Sequence, residues 1–368
     1  MQFEISREAL IKPLQLVTGV VERRQTLPVL ANVLLVLDGQ QLSLTGTDLE
    51  VELVGRVQLP SGGEAGEITV PARKLMDICK SLPDDATLKF EVDDGKAVIR
   101  FGRSRFSLTT LPANDFPSVE ESQGTLSFSM PQKVLKGMID STAFAMAQQD
   151  VRYYLNGLLM ELSADSVRVV ATDGHRLALH TESFIIPGVT GKTQVIIPRK
   201  GILELARLLS DGDEVVELTL GTNHIRAKTQ NFTFTSKLVD GKFPDYDRVL
   251  PKGGDKVVVA NRGMLRNALS RTAILSNEKF RGIRLVLEKD ELKILANNPE
   301  QEEAEDVISV EYPGAPLEIG FNVSYLVDVL SVINADAVHI VLSDANSSAL
   351  IHTGDTTSSV YVVMPMRL

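Results

Sequence analysis

Cysteine is nearly absent from this sequence, because Cys79 is the only one among 368 residues. A single cysteine excludes a disulfide framework and a thiolate metal cluster, and it is typical of a reducing compartment. Tryptophan is missing and aromatic residues make up only 5% of the chain, so the cores must be aliphatic. No stretch approaches the ~18 apolar residues that a membrane span needs, and the first residues do not resemble a signal peptide. We therefore expect a soluble, cytoplasmic protein.

Catalytic motifs are also missing, since the chain contains no GxSxG, HExxH, GxxxxGKS or GxGxxG pattern. The five histidines have no spacing typical of metal ligands. The best candidate for chemistry is the stretch ATDGHRL, in which Asp173 and His175 could act as acid and base. An Asp-Gly pair is more typical of a turn. We expect no enzyme activity, no cofactor and no metal, and a hydrolase using these two residues stays the alternative.

One pattern occurs three times along the chain. Its anchors are Pro71, Pro198 and Asn322, which are 127 and 124 residues apart. Apolar residues follow each anchor at offsets of 4, 7 and 11, namely Leu75, Ile78 and Leu82, then Ile202, Leu205 and Leu209, then Leu326, Val329 and Ile333. This spacing predicts one buried helix face in each copy. A fixed period predicts three tandem domains, at 1–124, 125–253 and 254–368.

Each predicted domain opens with a strand and a first amphipathic helix. Ser6, Ser129 and Asn261 precede these helices and suit the N-cap position. Alternating strands follow, then the second helix at the anchor, then closing strands. Two helices and many strands in about 125 residues favour an α+β fold with helices packed on antiparallel sheets.

The net charge of −10 argues against nucleic acid, but the distribution of charge points the other way. Two copies of the second helix place cations at offsets 2 and 9, away from the apolar stripe, namely Arg73, Lys80, Lys200 and Arg207. A row of such cations would bind DNA without reading its sequence. The alternatives are an ordinary solvated helix face and a protein-binding scaffold that does not encircle DNA.

The two ends of the chain differ in charge. The first repeat carries Arg103 and Arg105, whereas residues 300–306 of the third are densely anionic and are predicted to form a connection. Opposite ends of this kind can join head to tail, although two solvated loops would look the same. The last residues, YVVMPMRL, contain two methionines, which suit an adaptable peptide-binding surface as well as an ordinary core strand.

The chain resembles the bacterial DNA sliding clamps, the β subunits of the DNA polymerase III holoenzyme, over all 368 residues. The resemblance rests on QTLPVLANVLL, VPARKLMDICKSLP, ATDGHRLAL, KLVDGKFPDY, NNPEQEEAE and YVVMPMRL. It implies a head-to-tail homodimer in which six similar domains form a ring around duplex DNA. A clamp of this kind performs no chemistry. It slides and tethers the polymerase, the clamp loader and other replication or repair proteins.

The resemblance also implies a cleft between repeats two and three that binds short peptides of the QLxLF kind. Two departures from the family pattern, Asp247 and Asn346, bear on the affinity of this cleft. The matching cleft positions are Leu155, Thr172, Gly174, His175, Arg176, Leu177, Pro244, Arg248, Val249, Asn322, Tyr325, Ser348, Met364, Pro365, Met366, Arg367 and Leu368.

Two further sets of residues follow from the resemblance. The DNA-facing matches, beyond the four helix cations, are Arg24, Gln149, Tyr153 and Tyr154. The predicted dimer seam joins Lys74, Arg103, Arg105, Phe106 and Leu108 of one chain to Ile274, Leu275, Glu300, Glu302, Glu303 and Glu305 of the other.

Overall fold

The computed structural model describes residues 1–21, 27–117, 119, 124–356 and 358–367. Within these ranges the helices are α1 Arg7–Thr18, α2 Ala72–Ser81, α3 Gln132–Thr142, α4 Arg199–Leu208, α5 Arg262–Thr272 and α6 Val323–Val332. None of the described helices is long and apolar enough to cross a membrane.

Twenty-five strands accompany the helices in the described residues. In repeat one they are β1 Gln2–Ser6, β2 Asn32–Asp38, β3 Gln41–Thr47, β4 Val51–Gln58, β5 Gly63–Glu64, β6 Gly66–Pro71, β7 Thr87–Asp93, β8 Lys96–Phe101 and β9 Ser104–Thr109. In repeat two they are β10 Leu126–Pro131, β11 Gly157–Leu162, β12 Ser166–Thr172, β13 Arg176–Ser183, β14 Thr193–Pro198, β15 Val215–Leu220, β16 His224–Lys228 and β17 Phe232–Lys237. In repeat three they are β18 Lys256–Asn261, β19 Gly282–Glu288, β20 Glu291–Asn297, β21 Glu303–Ser309, β22 Leu317–Asn322, β23 Ala337–Leu342, β24 Ala349–His352 and β25 Ser359–Val363.

The chain forms two compact units, each with two antiparallel sheets. One unit comprises Met1–Leu135 with Lys200–Leu238, and its sheets have the orders β5-β1-β7-β8-β9 and β10-β15-β16-β17-β4-β3-β2-β6. The other comprises Lys136–Arg199 with Val239–Leu368, and its sheets have the orders β14-β11-β12-β13-β25-β24-β23-β18 and β21-β20-β19-β22. Helices α1 and α5 pack on their sheets and against α2 and α6, respectively. This arrangement is the α+β architecture that the sequence predicts.

Two sheets combine strands from different repeats. Strand β17 of repeat two pairs with β4 of repeat one, and β25 of repeat three pairs with β13 of repeat two, both antiparallel. Each joint therefore links the closing strand of one repeat to the fourth strand of the preceding repeat. The compact units follow these sheets rather than the repeat period, and the domain boundaries at 124 and 253 stay a prediction.

The first helices begin as predicted in two of the three repeats. Ser6 Oγ accepts a hydrogen bond from Ala9 N at 3.2 Å, and Asn261 Oδ1 accepts one from Met264 N at 2.9 Å. The prediction for Ser129 is wrong, because α3 begins at Gln132. Ser129 instead pairs with Glu217 in the ladder between β10 and β15, so sheet pairing keeps its backbone extended.

The predicted apolar stripes are buried with one exception. Ile78 in α2 is only half-buried, because Met76 and Cys79 take the core-facing positions of that turn. Cys79 is fully buried, and burial raises the pKa of its thiol to about 11. Its protonated, covered thiol behaves as a small apolar side chain.

The acidic stretch at residues 300–306 is only partly the connection that we expected. Residues 303–306 belong to β21, which lies at the edge of its sheet and pairs only with β20 among the described strands. An edge strand tolerates charged side chains because one side of it faces water. Exposure alternates along β21, with residues 304, 306 and 308 more buried than their neighbours, which is the period of a strand rather than of a loop.

Two histidines in repeat three should make stability depend on pH. His339 and His352 are cross-strand partners on β23 and β24, and their rings stack with centroids 5.2 Å apart. Burial, followed by repulsion from His339, lowers the pKa of His352 below its ordinary value.

Because an unfolded histidine has a pKa near about 6.5, the unfolded state takes up a proton first as the pH falls. Stability contributed by neutral His352 is therefore fully present above about pH 6.5 and is lost as the pH falls towards the lowered folded pKa. We predict that the urea midpoint falls between about pH 7 and 5, and that His352→Gln flattens this decline. The exposed His175, changed to Gln, is the control. An identical pH slope in wild type and His352→Gln would contradict the prediction.

Candidate functional site

A small apolar pocket of about 160 Å³ lies in the second compact unit. Its lining residues are Arg152, Leu155, Thr172, Gly174, Arg176, Leu177, Pro244, Val249, Val362 and Met364. The pocket brings together eight of the residues predicted for the peptide cleft, and it adds Arg152 and Val362. Beneath it lies a core cluster that includes Leu155, Leu177, Val362, Phe243 and Tyr246. A pocket of this size suits one or two apolar side chains rather than a drug-sized ligand.

One edge of the pocket is a hydrogen-bonded turn at residues 172–176. Thr172 Oγ1 donates to Arg176 O at 2.6 Å and accepts from Gly174 N at 3.1 Å. Asp173 Oδ1 accepts from the backbone N–H groups of His175 and Arg176 at 2.9 and 3.1 Å. Because side chains satisfy its backbone groups, the turn holds its shape without further support.

The same turn occurs in repeat one at residues 47–51. Thr47 bonds to Val51 O and Leu49 N, and Asp48 accepts from the N–H groups at positions 50 and 51. Leu49 and Gly174 occupy the same position with φ values of 78° and 89°. A Cβ at Gly174 would lie 3.0 Å from Arg152 Nη1, so glycine there makes room for the Arg152 side chain.

Arg152 is held at the rim of the pocket by an acidic partner. Its Nε and Nη2 donate to the two carboxylate oxygens of Asp150 at 3.0 and 2.9 Å, and Nη2 also reaches Asp173 O at 3.3 Å. These hydrogen bonds, with Arg152 as their main source, lower the pKa of Asp150 to about 2. The sequence signal for this pair is an acid and an arginine two residues apart in an exposed loop, which our prediction did not use.

Arg176 joins the turn to α6 and to the 3₁₀ turn Ala143–Ala145. Its guanidinium donates to Phe144 O at 3.1 Å and to Asp173 Oδ2 at 3.2 Å, and it also bonds to Asp328 of α6. It lies 4.6 Å from the ring centroid of Tyr325. Only 12% of the side chain is exposed, so its charge is largely enclosed by these partners.

A second cavity of about 310 Å³ borders the first, and Arg176 lines both. It contains Asp173 and His175, the two residues of the hydrolase alternative. Asp173 caps the turn and pairs with Arg176, while the ring of His175 stacks on Tyr325 at 6.1 Å. Both side chains therefore have structural roles. Among the described residues no group of three or more His, Cys, Asp or Glu side chains could hold a metal ion.

The C-terminal tail is attached to the turn and to β22. Met364 N donates to His175 O at 2.9 Å, and Met366 N donates to Gly320 O at 2.8 Å. Pro365 and Arg367 follow this path, and Leu368 lies outside the described residues.

The other predicted cleft residues that the structure describes are not among those that line the pocket. Asn322 caps α6 and donates to Phe280 O at 3.3 Å, and Ser348 directly precedes β24. Arg248 is 86% exposed and pairs with Asp245 at 2.8 Å. The two positions at which the family pattern differs, Asp247 and Asn346, are both exposed.

The predicted DNA-facing cations lie on α2 and α4, and three of the four have bonds within their unit. Arg73 and Lys80 are exposed, and Arg73 Nη2 reaches Val21 O at 3.5 Å. Lys200 forms an ion pair with Asp48 and is half-buried, and its DNA-facing role stays a prediction. Arg207 Nη2 donates to Glu204 at 2.7 Å and to Leu16 O at 3.2 Å.

The other DNA-facing candidates lie in one loop, apart from Arg24, which lies outside the described residues. Gln149 is exposed with a φ of 56°. Tyr153 is 57% exposed, and its ring meets that of Tyr154 edge to face at 5.8 Å. The two rings are inclined at 69° to each other, so the exposed Tyr153 offers a single aromatic ring to solvent.

The predicted seam residues occupy two edge strands and their neighbourhood. On the β9 side, Lys74, Arg103 and Arg105 are exposed and Phe106 is half-buried. Leu108 is only 8% exposed, so its side chain belongs to the core of its own chain rather than to an open seam. On the β21 side, Ile274 is 76% exposed and Leu275 is half-buried. The acidic members of the seam, Glu300, Glu302, Glu303 and Glu305, are all exposed.

Comparison with known proteins identifies the family. Models of the N-terminal, central and C-terminal domains of the DNA polymerase III beta subunit match residues 1–120, 129–245 and 247–367. The beta sliding clamps of Pseudomonas aeruginosa and Escherichia coli are 67% and 52% identical to this chain, over the full length of both proteins in each case. The chain therefore belongs to the DNA polymerase III beta-subunit family, the bacterial sliding clamps.

Solved structures agree with this assignment. A Pseudomonas aeruginosa sliding clamp bound to griselimycin has a TM-score of 0.98 at 67% identity, and the Caulobacter crescentus polymerase III beta has one of 0.92 at 37% identity. Both alignments cover all of this chain and all of the other chain. Three tandem clamp domains are thus confirmed.

Arg176 should contribute to stability through its enclosed bonds. We predict that Arg176→Lys lowers the free energy of unfolding by about 1–3 kcal/mol, because a lysine cannot bond to three partners in a plane and stack on Tyr325. Chemical denaturation measures the change. The control is Arg284→Lys in the same compact unit, where an exposed ion pair with Glu318 should contribute less than about 1 kcal/mol. Equal losses in the two variants would show that the enclosed contacts add nothing.

Proposed function

We propose that this protein closes as a head-to-tail homodimer around duplex DNA and acts as a sliding clamp for DNA polymerase III. Its family supports this function. The observation that carries the proposal is the pair of joints between repeats. The fourth strands β4 and β13 receive closing strands β17 and β25, which leaves one closing strand, β9, and one fourth strand, β21, at sheet edges.

The internal joints predict the register of a third joint. Across the sheets, Phe3, Phe90, Ile99 and Phe106 form one row, just as Phe128, Leu218, Ala227 and Phe234 do in repeat two. Phe234 pairs with Leu53, and Leu53 has Ala304 as its counterpart in β21. Phe106 should therefore face Ala304 of the partner subunit.

The next pair in this register is charged. In the joint of repeats one and two, Thr233 pairs with Val54. Their counterparts are Arg105 in β9 and Glu305 in β21, so Arg105 should face Glu305 of the partner subunit. Opposite charges on facing positions of an antiparallel pair stabilise it. Two such joints would close two chains of three domains into a six-domain ring.

The exposed cations of α2 and the apolar pocket both fit the proposal. The exposed cations Arg73 and Lys80 on α2 would meet DNA phosphates without reading bases, as a sliding protein requires. The 160 Å³ pocket would hold an apolar side chain of a short QLxLF-like peptide from the polymerase, the clamp loader or a repair protein. We propose no catalytic role for the protein. We propose that it acts in the cytoplasm, where bacterial DNA is replicated.

Topological retention on DNA tests the function directly. With a clamp loader and ATP, we predict that the protein stays on nicked circular DNA during gel filtration and leaves the same DNA after one cut makes it linear. A ring that encloses DNA can slide off only through an end. Equal retention on the two forms would contradict encirclement and would favour the protein-binding scaffold. The Arg73→Glu, Lys80→Glu double variant should load poorly, because it reverses two exposed cations.

A charge swap tests the predicted register. Arg105→Glu should weaken the dimer at least about tenfold, because each of the two joints gains a repulsive pair. Adding Glu305→Arg to the same chain should restore much of the affinity, since both joints again have opposite charges. Sedimentation at low salt measures the dissociation constants. Lys96→Glu, on the neighbouring interior strand β8, is the control. A double variant no tighter than Arg105→Glu alone would show that these residues do not face each other.

A further inference from the structure

The compact unit that contains the pocket also contains a buried carboxylate. Glu161 is on β11 and is 5% exposed. It accepts hydrogen bonds from Tyr246 Oη at 3.0 Å and from Gln194 Nε2 at 2.7 Å, and Lys192 Nζ lies 3.1 Å away. Burial alone would raise the pKa of Glu161, but these hydrogen bonds outweigh it and lower the pKa. The carboxylate is therefore ionised and fully engaged at neutral pH.

Tyr246 is the member of this network that reaches the pocket wall. Its hydroxyl also accepts from Arg168 Nη1 at 3.1 Å, and the Arg168 guanidinium lies 5.9 Å from its ring centroid. Burial raises the pKa of Tyr246 to about 12, so the hydroxyl stays protonated at neutral pH and donates a hydrogen bond to Glu161. The ring itself is 4% exposed in the core cluster beneath the pocket.

Tyr246 lies in the chain segment 239–250, which carries two pocket residues, Pro244 and Val249. Tyr246 O accepts from Val249 N at 2.9 Å and from Leu250 N at 3.3 Å, so the position of Tyr246 determines that of Val249. The segment has little regular structure beyond the 3₁₀ turn Tyr246–Arg248. Val239 N donates to Ile196 O of β14 at 2.9 Å, and beyond that backbone bond the segment is held to the sheet largely by side-chain contacts.

Repeat one lacks the counterparts of this network. Strand pairing places Val36, Ser43 and Glu67 where repeat two has Glu161, Arg168 and Gln194. Of these two repeats, only repeat two therefore has the bonded pair of Glu161 and Tyr246. Burying a carboxylate is costly unless it is fully bonded, so an apolar residue such as Val36 would serve packing at lower cost.

We propose that Glu161 and Tyr246 are positioning residues for the pocket. The bond between them holds the wall formed by Pro244 and Val249 at the distance that a peptide side chain requires. The proposal rests on the proposed peptide-binding function of the pocket, which it deepens. Neither residue lines the pocket, so each acts through the segment 239–250 rather than by touching the peptide.

Removing the tyrosine hydroxyl tests the proposal with a synthetic QLxLF peptide as the probe. We expect Tyr246→Phe to bind it about tenfold more weakly, mainly through faster dissociation, because a hydrogen bond to a charged group is lost. Hydrogen exchange at the amides of Val249 and Leu250 should speed up. The matched control is Tyr312→Phe, which also loses a buried hydroxyl bond, to Ala315 O at 2.6 Å, in the same compact unit. It should leave both readouts unchanged even if it costs stability.

Variants at Glu161 separate positioning from packing. Glu161→Gln keeps an oxygen that can accept from Tyr246 and should bind the peptide better than Glu161→Leu does. Combining Glu161→Leu with Tyr246→Phe should weaken binding no further than Glu161→Leu alone, since Glu161→Leu already removes the bond from Tyr246.

Peptide affinity and amide hydrogen exchange together distinguish failure of this proposal from failure of the proposed peptide-binding function. Peptide affinity and exchange rates in Tyr246→Phe that match wild type would overturn the proposal. If wild type binds no peptide while exchange at Val249 still speeds up in Tyr246→Phe, the proposed peptide-binding function is wrong. The hydrogen bond between Tyr246 and Glu161 would nevertheless be shown to position the segment 239–250.

Discussion

Backbone hydrogen bonding at strand edges is the constraint on which the rest of this structure depends. An unpaired edge offers a row of donors and acceptors to any passing strand, so it must be paired or protected. Two of the edges meet this demand inside the chain, where β17 covers β4 and β25 covers β13. Among the strands that end the described sheets, the closing strand β9 and the fourth strand β21 carry opposite charges. Each would repel another copy of itself and attract the other, so charge selects the pairing that closes a ring.

Repeat two differs from repeat one at the turn that borders the pocket. Repeats one and two share the same side-chain-bonded turn, with Leu49 in one and Gly174 in the other. At the next two positions of the turn, repeat two has His175 and Arg176 where repeat one has Glu50 and Val51. The glycine admits Arg152, and the arginine links the turn to α6. The same turn thus differs between the two repeats at a few residues, and fold similarity alone would not locate the proposed binding site.

The sequence could predict whatever depends on local spacing. The period of the apolar stripes predicted the second helices, and Ser6 and Asn261 predicted two helix starts correctly. Ser129 failed because strand pairing to Glu217 outweighed its capping preference. The joints between repeats could not be predicted, because they pair strands that are distant along the chain. A usable signal was missed at Glu161, where one acid interrupts the apolar strand GLLMEL and so demands a buried partner.

The ion pairs of Lys200 and Arg207 on α4, a helix that we propose faces DNA, affect how a clamp of this kind could hold DNA. Lys200 is already paired with Asp48, and Arg207 with Glu204, so part of the basic charge is neutralised within the chain. A ring that encloses DNA needs little attraction to stay on it, because escape requires opening. Strong phosphate contacts would instead slow its movement along the duplex. Partial neutralisation is therefore what the proposed sliding function favours, and it reconciles helix cations with a net charge of −10.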